Sequence, residues 1–222
     1  MGKLIIIEGS DGSGKETQSK KLEAALLQKG YKVKRVEFPN YASPSSTLVK
    51  MYLTGKFGEN PSDVNAYAAS TFYAVDRFAS FHTDWKEFYD NGGIIIADRY
   101  SISNMIHQGS KIEDTNELEA FLSWVEDFEF GKLAIPRPDM ILFLDMPTSI
   151  SKKLMENRYK DNDLSQDIHE KDYDFLEKSY QFAKKLADKY SWSRVECSSN
   201  NSPLSIEEIH TKILTITENS IK

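Results

Sequence analysis

The segment that most constrains this chain is LIIIEGSDGSGKETQ, residues 4–18. Its first four residues are apolar without alternation, which is typical of a strand buried on both faces of a parallel sheet. Glycines follow at positions 9, 12 and 14, and after Lys15 the spacing of Leu22 and Leu26 predicts a helix. Strand, glycine loop and helix in this order predict a phosphate-binding loop, in which backbone N–H groups, the helix N-terminus and a lysine hold the anion.

The loop matches the pattern G-x-x-x-x-G-K-[ST] with one departure. Glu16 replaces the usual serine or threonine, and Thr17 comes one residue late. The alternative is a glycine-rich connector with a coincidental lysine, and the flanking strand and helix argue against it. We therefore predict phosphate contacts from the following residues: Gly9, Ser10, Asp11, Gly12, Ser13, Gly14, Lys15, Glu16 and Thr17.

The composition is that of a globular protein, since 40% of the 222 residues are hydrophobic and 28% are charged. The net charge of −6 argues against nucleic acid as the main partner. Cys197 is the single cysteine, which excludes an internal disulfide and indicates a reducing, cytoplasmic compartment. The sequence has no signal-peptide pattern and no apolar run of membrane-spanning length, so we expect no membrane partner.

Apolar strands and helical patterns alternate along the rest of the chain. Further strands are predicted at KVKRVEFP, IIIA, MILFLD and WSRVECS. Helices are predicted over 47–55, 62–88 and 118–128 and from position 206 onward. In the predicted helix over 62–88, helical spacing makes Tyr67, Phe72, Val75 and Phe78 the candidate inward-facing residues. This alternation predicts a three-layer α/β fold, a parallel five-stranded sheet with helices on both faces, as one domain over 1–222.

Residues that follow the predicted strands should meet at one edge of such a sheet and form a ligand cleft. They are the glycine loop, Phe38-Pro39, Asp98-Arg99-Tyr100 and Asp145. Asp98 is a candidate magnesium ligand, directly or through water, and Arg99 a candidate clamp for a phosphoryl group. The alternative is a helix-capping aspartate beside a surface arginine, which the nearby phosphate loop disfavours.

Two further patterns have both a functional and a structural interpretation. Tyr73 and Arg77 lie four residues apart, so that a base could stack on the ring while the cation holds its phosphate, although aromatic residues at helical spacing are commonly core. The segment MENRYKDND contains Arg158 and Lys160. It is either a solvated helix face or a mobile lid that brings positive charge over a nucleotide.

Taken together, these motifs resemble the thymidylate kinase family. The opening EG-x-DG-x-GK-x-T spans Glu8 to Thr17, FP is Phe38-Pro39, and the aromatic-to-arginine helix is Tyr73 to Arg77. DRY-x-x-S-N-x-x-x-Q covers 98–108, and RPD-x-x-x-x-LD-x-P covers 137–147. The resemblance extends over the whole chain in order and is weakest after about position 156.

The resemblance implies a P-loop NTPase fold and a nucleoside-monophosphate kinase that converts ATP and dTMP to ADP and dTDP with Mg²⁺. It also implies a homodimer and a lid at about 155–168. Lys15 and the loop amides would bind ATP phosphates, Arg77 and Arg99 would hold phosphate, and Arg158 would be the lid cation. Tyr73 would stack on thymine, and Asn104 would read its edge. The implied dTMP-binding set is Asp11, Phe38, Pro39, Tyr73, Arg77, Arg99, Ser103, Asn104, His107 and Gln108.

The chain departs from the family pattern at two places. His107 stands where a tyrosine commonly crowds the ribose 2′ side, and the lid motif DR-x-E is replaced by DIHE at 167–170. Because the glycine loop has no arginine, the lid or Arg99 must supply the additional cation. Two other functions stay open: a deoxynucleoside kinase, for which Glu8 is the candidate base, and a nucleotide-dependent switch, whose N-K-x-D motif is absent.

Overall fold

A parallel five-stranded sheet organises the chain, as predicted. The structure is a computed structural model that describes residues 1–162 and 167–221, with the backbone alone for 157–162. The strands are β1 (Lys3–Gly9), β2 (Val33–Glu37), β3 (Ile94–Asp98), β4 (Met140–Asp145) and β5 (Ser193–Glu196). Their spatial order is β2-β3-β1-β4-β5, and all neighbouring pairs run parallel. β6 (Ser198–Ser199) and β7 (Ser202–Pro203) form a small separate antiparallel pair.

Helices connect the strands and cover both faces of the sheet. They are α1 (Lys15–Gln28), α2 (Thr47–Leu53), α3 (Ala66–Ser80), α4 (Lys86–Asp90), α5 (Ser101–Gly109), α6 (Thr115–Glu126), α7 (Thr148–Asn162), α8 (Ile168–Lys171), α9 (Tyr173–Lys189) and α10 (Ile206–Ile221). Two single-turn 3₁₀ segments (Pro44–Ser46, Pro61–Asp63) and two π-helical segments (Phe81–Trp85, Asp127–Lys132) complete the described elements. Within the described ranges, no helix is long and apolar enough to cross a membrane.

The continuous apolar run of β1 is explained by cores on both faces of the sheet. Ile5 and Ile7 pack with residues of α1 and α10, such as Leu22 and Ile213. On the other face, Leu4 and Ile6 pack in a cluster of aromatic side chains that includes Phe81, Trp85 and Tyr100. All four strand residues are at most 1% exposed. Each buried side chain of this size contributes about 2 kcal/mol, which agrees with the position of β1 at the centre of the sheet.

The predicted helix over 62–88 is divided in the structure. Its main part is α3. Asn65 caps the N-terminus of this helix, because its side chain accepts a 2.9 Å hydrogen bond from the backbone N–H of Ala68. The expectation that Val75 and Phe78 point inward is wrong, because they are 42% and 38% exposed. The buried face of α3 consists instead of small and polar side chains: Ala66, Ala69, Ser70, Ala74, Asp76, Arg77 and Ser80. Hydrophobic periodicity misses a face of this kind.

Candidate active site

Two adjoining cavities lie at the carboxyl ends of β1, β2 and β3. The loop cavity lies against the phosphate-binding loop. Besides six residues that it shares with the second, inner cavity, it is lined by Gly12, Gly14, Lys15, Glu16, Thr17, Glu37, Asp98, Leu154, Met155 and Glu170. The inner cavity is lined by Leu53, Tyr73, Arg77, Tyr100, Ser103, Asn104, His107, Gln108 and His169 with the same shared residues. The residues common to both are Asp11, Phe38, Pro39, Tyr41, Arg99 and Asp167. All ten residues predicted to bind dTMP line the inner cavity.

The glycine loop has the backbone geometry of an anion site. Gly12 and Gly14 adopt φ values of 78° and 89°, which side chains other than glycine rarely adopt. A Cβ on Gly12 would lie 2.5 Å from the carbonyl oxygen of Ser151, so α7 also requires glycine there. Lys15 begins α1, and its Nζ donates a 2.9 Å hydrogen bond to the carbonyl oxygen of Ser10. The loop, the lysine and the helix N-terminus therefore face one cavity. Gly9, Ser10 and Ser13 do not line it.

Arg99 lies on the wall that the two cavities share. Its φ of 64° is in the left-handed region, which is rare for residues with side chains and is found at functional sites. Nη1 lies 3.1 Å from Oε1 of Glu8 and 3.2 Å from Nε2 of His107, and Nη2 donates to Asp11. Glu8 is fully buried, and its other oxygen accepts a 2.6 Å hydrogen bond from Ser103. Both ends of the guanidinium are thus oriented by carboxylates.

The charges at this wall perturb one another. Burial raises the pKa of Asp11, but the charges of Arg99 and Lys15 outweigh it and hold the pKa well below its usual range. Burial lowers the pKa of Lys15, and the neighbouring Arg99 lowers it further. For Arg99, burial is outweighed by the carboxylates of Asp11 and Glu8, which raise its pKa. The wall therefore presents the Arg99 guanidinium beside the ionised carboxylate of Asp11.

The oxygen ligands near Lys15 fit a magnesium ion held mainly by a substrate. Asp98 and Glu37 are register partners on β3 and β2, and both line the loop cavity. Burial raises the pKa of Asp98, against the opposing effect of Lys15 and Arg99. Among the described residues, no three His, Cys, Asp or Glu side chains form a metal-binding group. Mg²⁺ commonly uses one or two carboxylates with water and substrate phosphates, which is the donor set available here.

Arg77 lies on the wall of the inner cavity and is held by a buried carboxylate. It is 1% exposed and lines the inner cavity but not the loop cavity. Its Nε and Nη2 donate hydrogen bonds of 2.7 and 2.6 Å to the carboxylate of Glu129. Nδ2 of Asn104 donates to the same carboxylate at 3.0 Å. The structure therefore groups Arg77 with Asn104 on the wall of the inner cavity.

Aromatic and imidazole side chains line much of the rest of the inner cavity. Tyr73 lines it and packs edge-on against Tyr52, with ring centroids 6.5 Å apart. Burial lowers the pKa of His107 well below its usual value, and it lowers that of His169 to about 3. Neutral His107 accepts at Nε2 from Arg99, so its proton is on Nδ1, a buried atom with no hydrogen-bond partner in the described part of the chain. The loop that follows β2 is held against α3, because Asp76 accepts a 2.8 Å hydrogen bond from the backbone N–H of Asn40.

Several sequence-predicted residues lie elsewhere or outside the description. Asp145 lines neither cavity, because its carboxylate accepts 2.6 Å hydrogen bonds from Tyr180 and Arg194. The side chains of Arg158 and Lys160 lie outside the described part of the chain, as do the side chains of most residues in the predicted lid at 155–168.

The sequence analysis also missed cavity residues. Tyr41, Leu53 and His169 line the inner cavity, and Glu129 orients two of its residues. The one local signal for Glu129 is an acidic residue between Phe128 and Phe130, since a carboxylate within an apolar helical pattern requires a buried partner.

Known proteins similar to this chain are thymidylate kinases. The sequence model of the family described as thymidylate kinase matches residues 7–213. A thymidylate kinase of Mycobacterium tuberculosis is 31% identical over 180 residues, 79% of this chain and 81% of the relative. The Homo sapiens thymidylate kinase is 28% identical over 225 residues, 100% of this chain and 92% of the relative. A solved thymidylate kinase from Candida albicans superposes with a TM-score of 0.70 at 22% identity, covering 98% of this chain and 92% of that one.

Proposed function

This chain belongs to the thymidylate kinase family, and we infer that the two adjoining cavities are where it phosphorylates its substrate. It catalyses the ATP-dependent phosphorylation of dTMP to dTDP. The observation that supports the location is the shared wall. The loop cavity has the features of a triphosphate site, the inner cavity is lined by an aromatic ring and amide side chains, and Arg99 and Asp11 line both. The phosphates of donor and acceptor would meet at Arg99.

We assign the residue roles from this arrangement. The loop amides and Lys15 bind the phosphates of ATP, and Arg99 binds the transferred group or the acceptor phosphate. Tyr73 stacks on the base, and Asn104 and Arg77 contact its edge. Ser103, His107 and Gln108 line the acceptor cavity beside the sugar and phosphate.

The chemistry needs positioning and charge neutralisation more than a base. The attacking oxygen of dTMP belongs to an ionised phosphate, so in-line transfer requires no proton removal. A deoxynucleoside kinase would need a base for the sugar hydroxyl, and Glu8 is unsuited to that role. It has no exposed surface and is hydrogen-bonded to Arg99, Ser103 and its neighbour Gly9. This contact set favours the monophosphate as acceptor.

We further propose that Mg²⁺ bound to the ATP phosphates is held by Asp98, directly or through water. When bound, the ion would neutralise charge on the phosphates during transfer. Arg158 is our candidate for an additional cation from a lid over 155–168 within a single 1–222 domain. The one cysteine, Cys197, is buried and unpaired, which supports a reducing, cytoplasmic location.

We propose that the active form is a homodimer. Exposed apolar side chains on the neighbouring helices α2 and α3 support this arrangement, since Leu48, Met51, Val75 and Phe78 are each 37–42% exposed. Monomeric proteins rarely expose extended apolar surface without a partner. Sedimentation equilibrium of the purified chain should give twice the monomer mass of 25.4 kDa. The monomer mass at micromolar concentration would contradict it.

A steady-state assay of ATP consumption against a panel of acceptors tests the function as a whole. We expect dTMP to be phosphorylated more efficiently than dAMP or dGMP, and thymidine and other nucleosides to be inactive. Phosphorylation of nucleosides but not of monophosphates would identify a deoxynucleoside kinase instead. Hydrolysis of ATP that no acceptor stimulates would indicate a nucleotide-dependent switch.

A further inference from the structure

Glu129 contacts both side chains that we assign to the base edge without lining the cavity itself. It lies in the π-helical segment after α6 and is 1% exposed. One carboxylate oxygen accepts from Nη2 of Arg77 at 2.6 Å and from Nδ2 of Asn104 at 3.0 Å. The other accepts from Nε of Arg77 at 2.7 Å. A single buried carboxylate thus fixes the orientation of two cavity side chains.

The consequence for Asn104 is a defined amide orientation. Its Nδ2 donates to Glu129 and also to the carbonyl oxygen of Ser70, at 3.0 Å in each case. Both amide hydrogens are therefore used, and Oδ1 is left to accept from a ligand. A flipped amide would place Oδ1 against two acceptors. In Arg77, Nε–H and one hydrogen of Nη2 are engaged by Glu129, so Nη1 keeps both of its hydrogens and Nη2 keeps its second one to donate.

We propose that Glu129 is a positioning residue that makes the inner cavity select 4-oxo pyrimidines over 4-amino pyrimidines. The proposal rests on the function assigned above. Thymine and uracil offer an N3–H donor beside the O4 acceptor, which complements Oδ1 of Asn104 and Nη1 of Arg77. Cytosine offers an unprotonated N3 and an N4 amino group, so each contact would pair two acceptors or two donors. A site built for one hydrogen-bonding pattern rejects the opposite pattern because its buried polar groups are left unpaired.

The first test uses the wild-type protein and altered bases. We expect dTMP and dUMP to bind, and dCMP and 3-methyl-dTMP, which lacks the N3–H, to bind at least about 100-fold more weakly in competition assays. Comparable affinity for dTMP and dCMP would overturn the proposal. Failure of the wild type to phosphorylate dTMP at all would instead contradict the proposed function, so that the two failures are distinguishable.

The second test compares Glu129→Gln with a matched control. In the variant, an amide NH2 replaces one carboxylate oxygen. In either orientation of the amide, this NH2 faces N–H donors of Arg77 or Asn104. We expect the kcat/KM ratio of dTMP to dCMP to fall at least about tenfold. Glu126→Gln makes the same chemical change three residues away, where the side chain pairs with exposed Arg137, and should leave the ratio unchanged. An unchanged ratio in Glu129→Gln, with both substrates equally impaired, would indicate a purely structural role and overturn the proposal.

Glu129→Asp is the companion variant if Glu129→Gln does not fold. It keeps the charge, but the shortened side chain cannot reach both Arg77 and Asn104 from the same backbone position. We expect a folded protein, by circular dichroism, with a dTMP preference lower than wild type. A folded variant that keeps the full wild-type preference would also overturn the proposal.

Discussion

Nη1 of Arg99 lies 3.1 Å from Oε1 of Glu8, a carboxylate with no exposed surface. The cation on the wall between the two cavities is therefore coupled to the core at the end of β1. Replacing either residue has two consequences, one for catalysis and one for folding, and a double variant separates them.

We expect Arg99→Ala to lower kcat by about 100-fold or more, because a preorganised donor to the transferring group is lost. It should also lower the free energy of unfolding by about 3 kcal/mol, because Glu8 becomes a buried charge with no arginine partner. The double variant Glu8→Gln/Arg99→Ala should recover most of the stability and none of the activity. Urea unfolding and steady-state kinetics on the three proteins measure both effects. An active double variant would show that Arg99 acts only through stability.

Lys15→Ala should nearly abolish turnover. Lys15 is the cation within the glycine loop, and removal of one such preorganised donor typically costs roughly 3–4 kcal/mol of transition-state stabilisation. Lys21→Ala is a suitable control, because Lys21 lies on the same helix and pairs with Glu207 at 2.8 Å, away from both cavities. Near-normal activity of Lys15→Ala would contradict the phosphate-loop assignment.

The sequence predicted the parts of the site that are encoded locally. The glycine loop and the residues from Asp98 to Gln108 each follow one strand, and parallel strands bring their carboxyl ends to one edge of the sheet. Their convergence therefore follows from the fold class. The same argument wrongly placed Asp145 in the ligand cleft. A carboxylate at the end of a strand can instead bind neighbouring elements, and Asp145 accepts hydrogen bonds from Tyr180 and Arg194.

Long-range pairing could not be predicted in the same way. Arg77 is held by Glu129, which is 52 residues away in sequence, and no local pattern encodes that pair. The inward face of α3 also escaped prediction, since its buried residues are small or charged, whereas the apolar Val75 and Phe78 are exposed. The two cases have one cause: burial of a polar group depends on a partner from another element.

The stability of the protein should decrease with pH where Asp167 titrates. Burial, helped by the neighbouring carboxylates Glu170 and Asp11 and opposed by two backbone N–H donors, raises the pKa of Asp167 from its ordinary value of 3.8 to about 7. Between these pH values the folded state binds a proton that the unfolded state does not, so the stability from this group is present below about pH 4 and is lost as pH rises through 7.

Asp167→Asn tests this dependence and keeps the hydrogen bonds from the N–H groups of His169 and Glu170, because asparagine also caps helices. The stability difference, wild type minus variant, should decrease between pH 5 and pH 8 in urea unfolding experiments. A difference that is constant with pH would show that Asp167 is ionised in the folded state throughout.

We expect measurable activity on ribonucleotides, because His107 is smaller than the tyrosine that the family commonly has at this position. UMP and dUMP share a base and differ at the 2′ position, so their kcat/KM ratio isolates the sugar. His107→Tyr should shift this ratio toward dUMP by about tenfold, through loss of space next to the 2′-hydroxyl. Complete rejection of UMP by the wild type would contradict this prediction and leave the other assignments intact.

Charge neutralisation during transfer points to a cation beyond those in the described site. Phosphoryl transfer between two nucleotides concentrates negative charge, and an additional arginine at the transferring group increases the rate by about 10³-fold or more. The described cations that line the loop cavity are Lys15 and Arg99. Arg77 does not contribute there, because Glu129 holds it at the inner cavity. Arg158, thirteen residues after the end of β4 at Asp145, is the arginine that the sequence offers for this role.

If Arg158 neutralises charge that develops only in the transition state, its loss should affect the chemical step and not substrate binding. Arg158→Ala should therefore lower kcat by about 10³-fold while the KM values for ATP and dTMP change little. Lys160→Ala is the control, because it removes a positive charge from the same segment and distinguishes one arginine from a general electrostatic effect. A larger loss of kcat in Lys160→Ala would transfer the role to that residue. Unchanged kcat in both variants would mean that the segment is a solvated helix face, and Arg99 would then be the cation that acts on the transferring group.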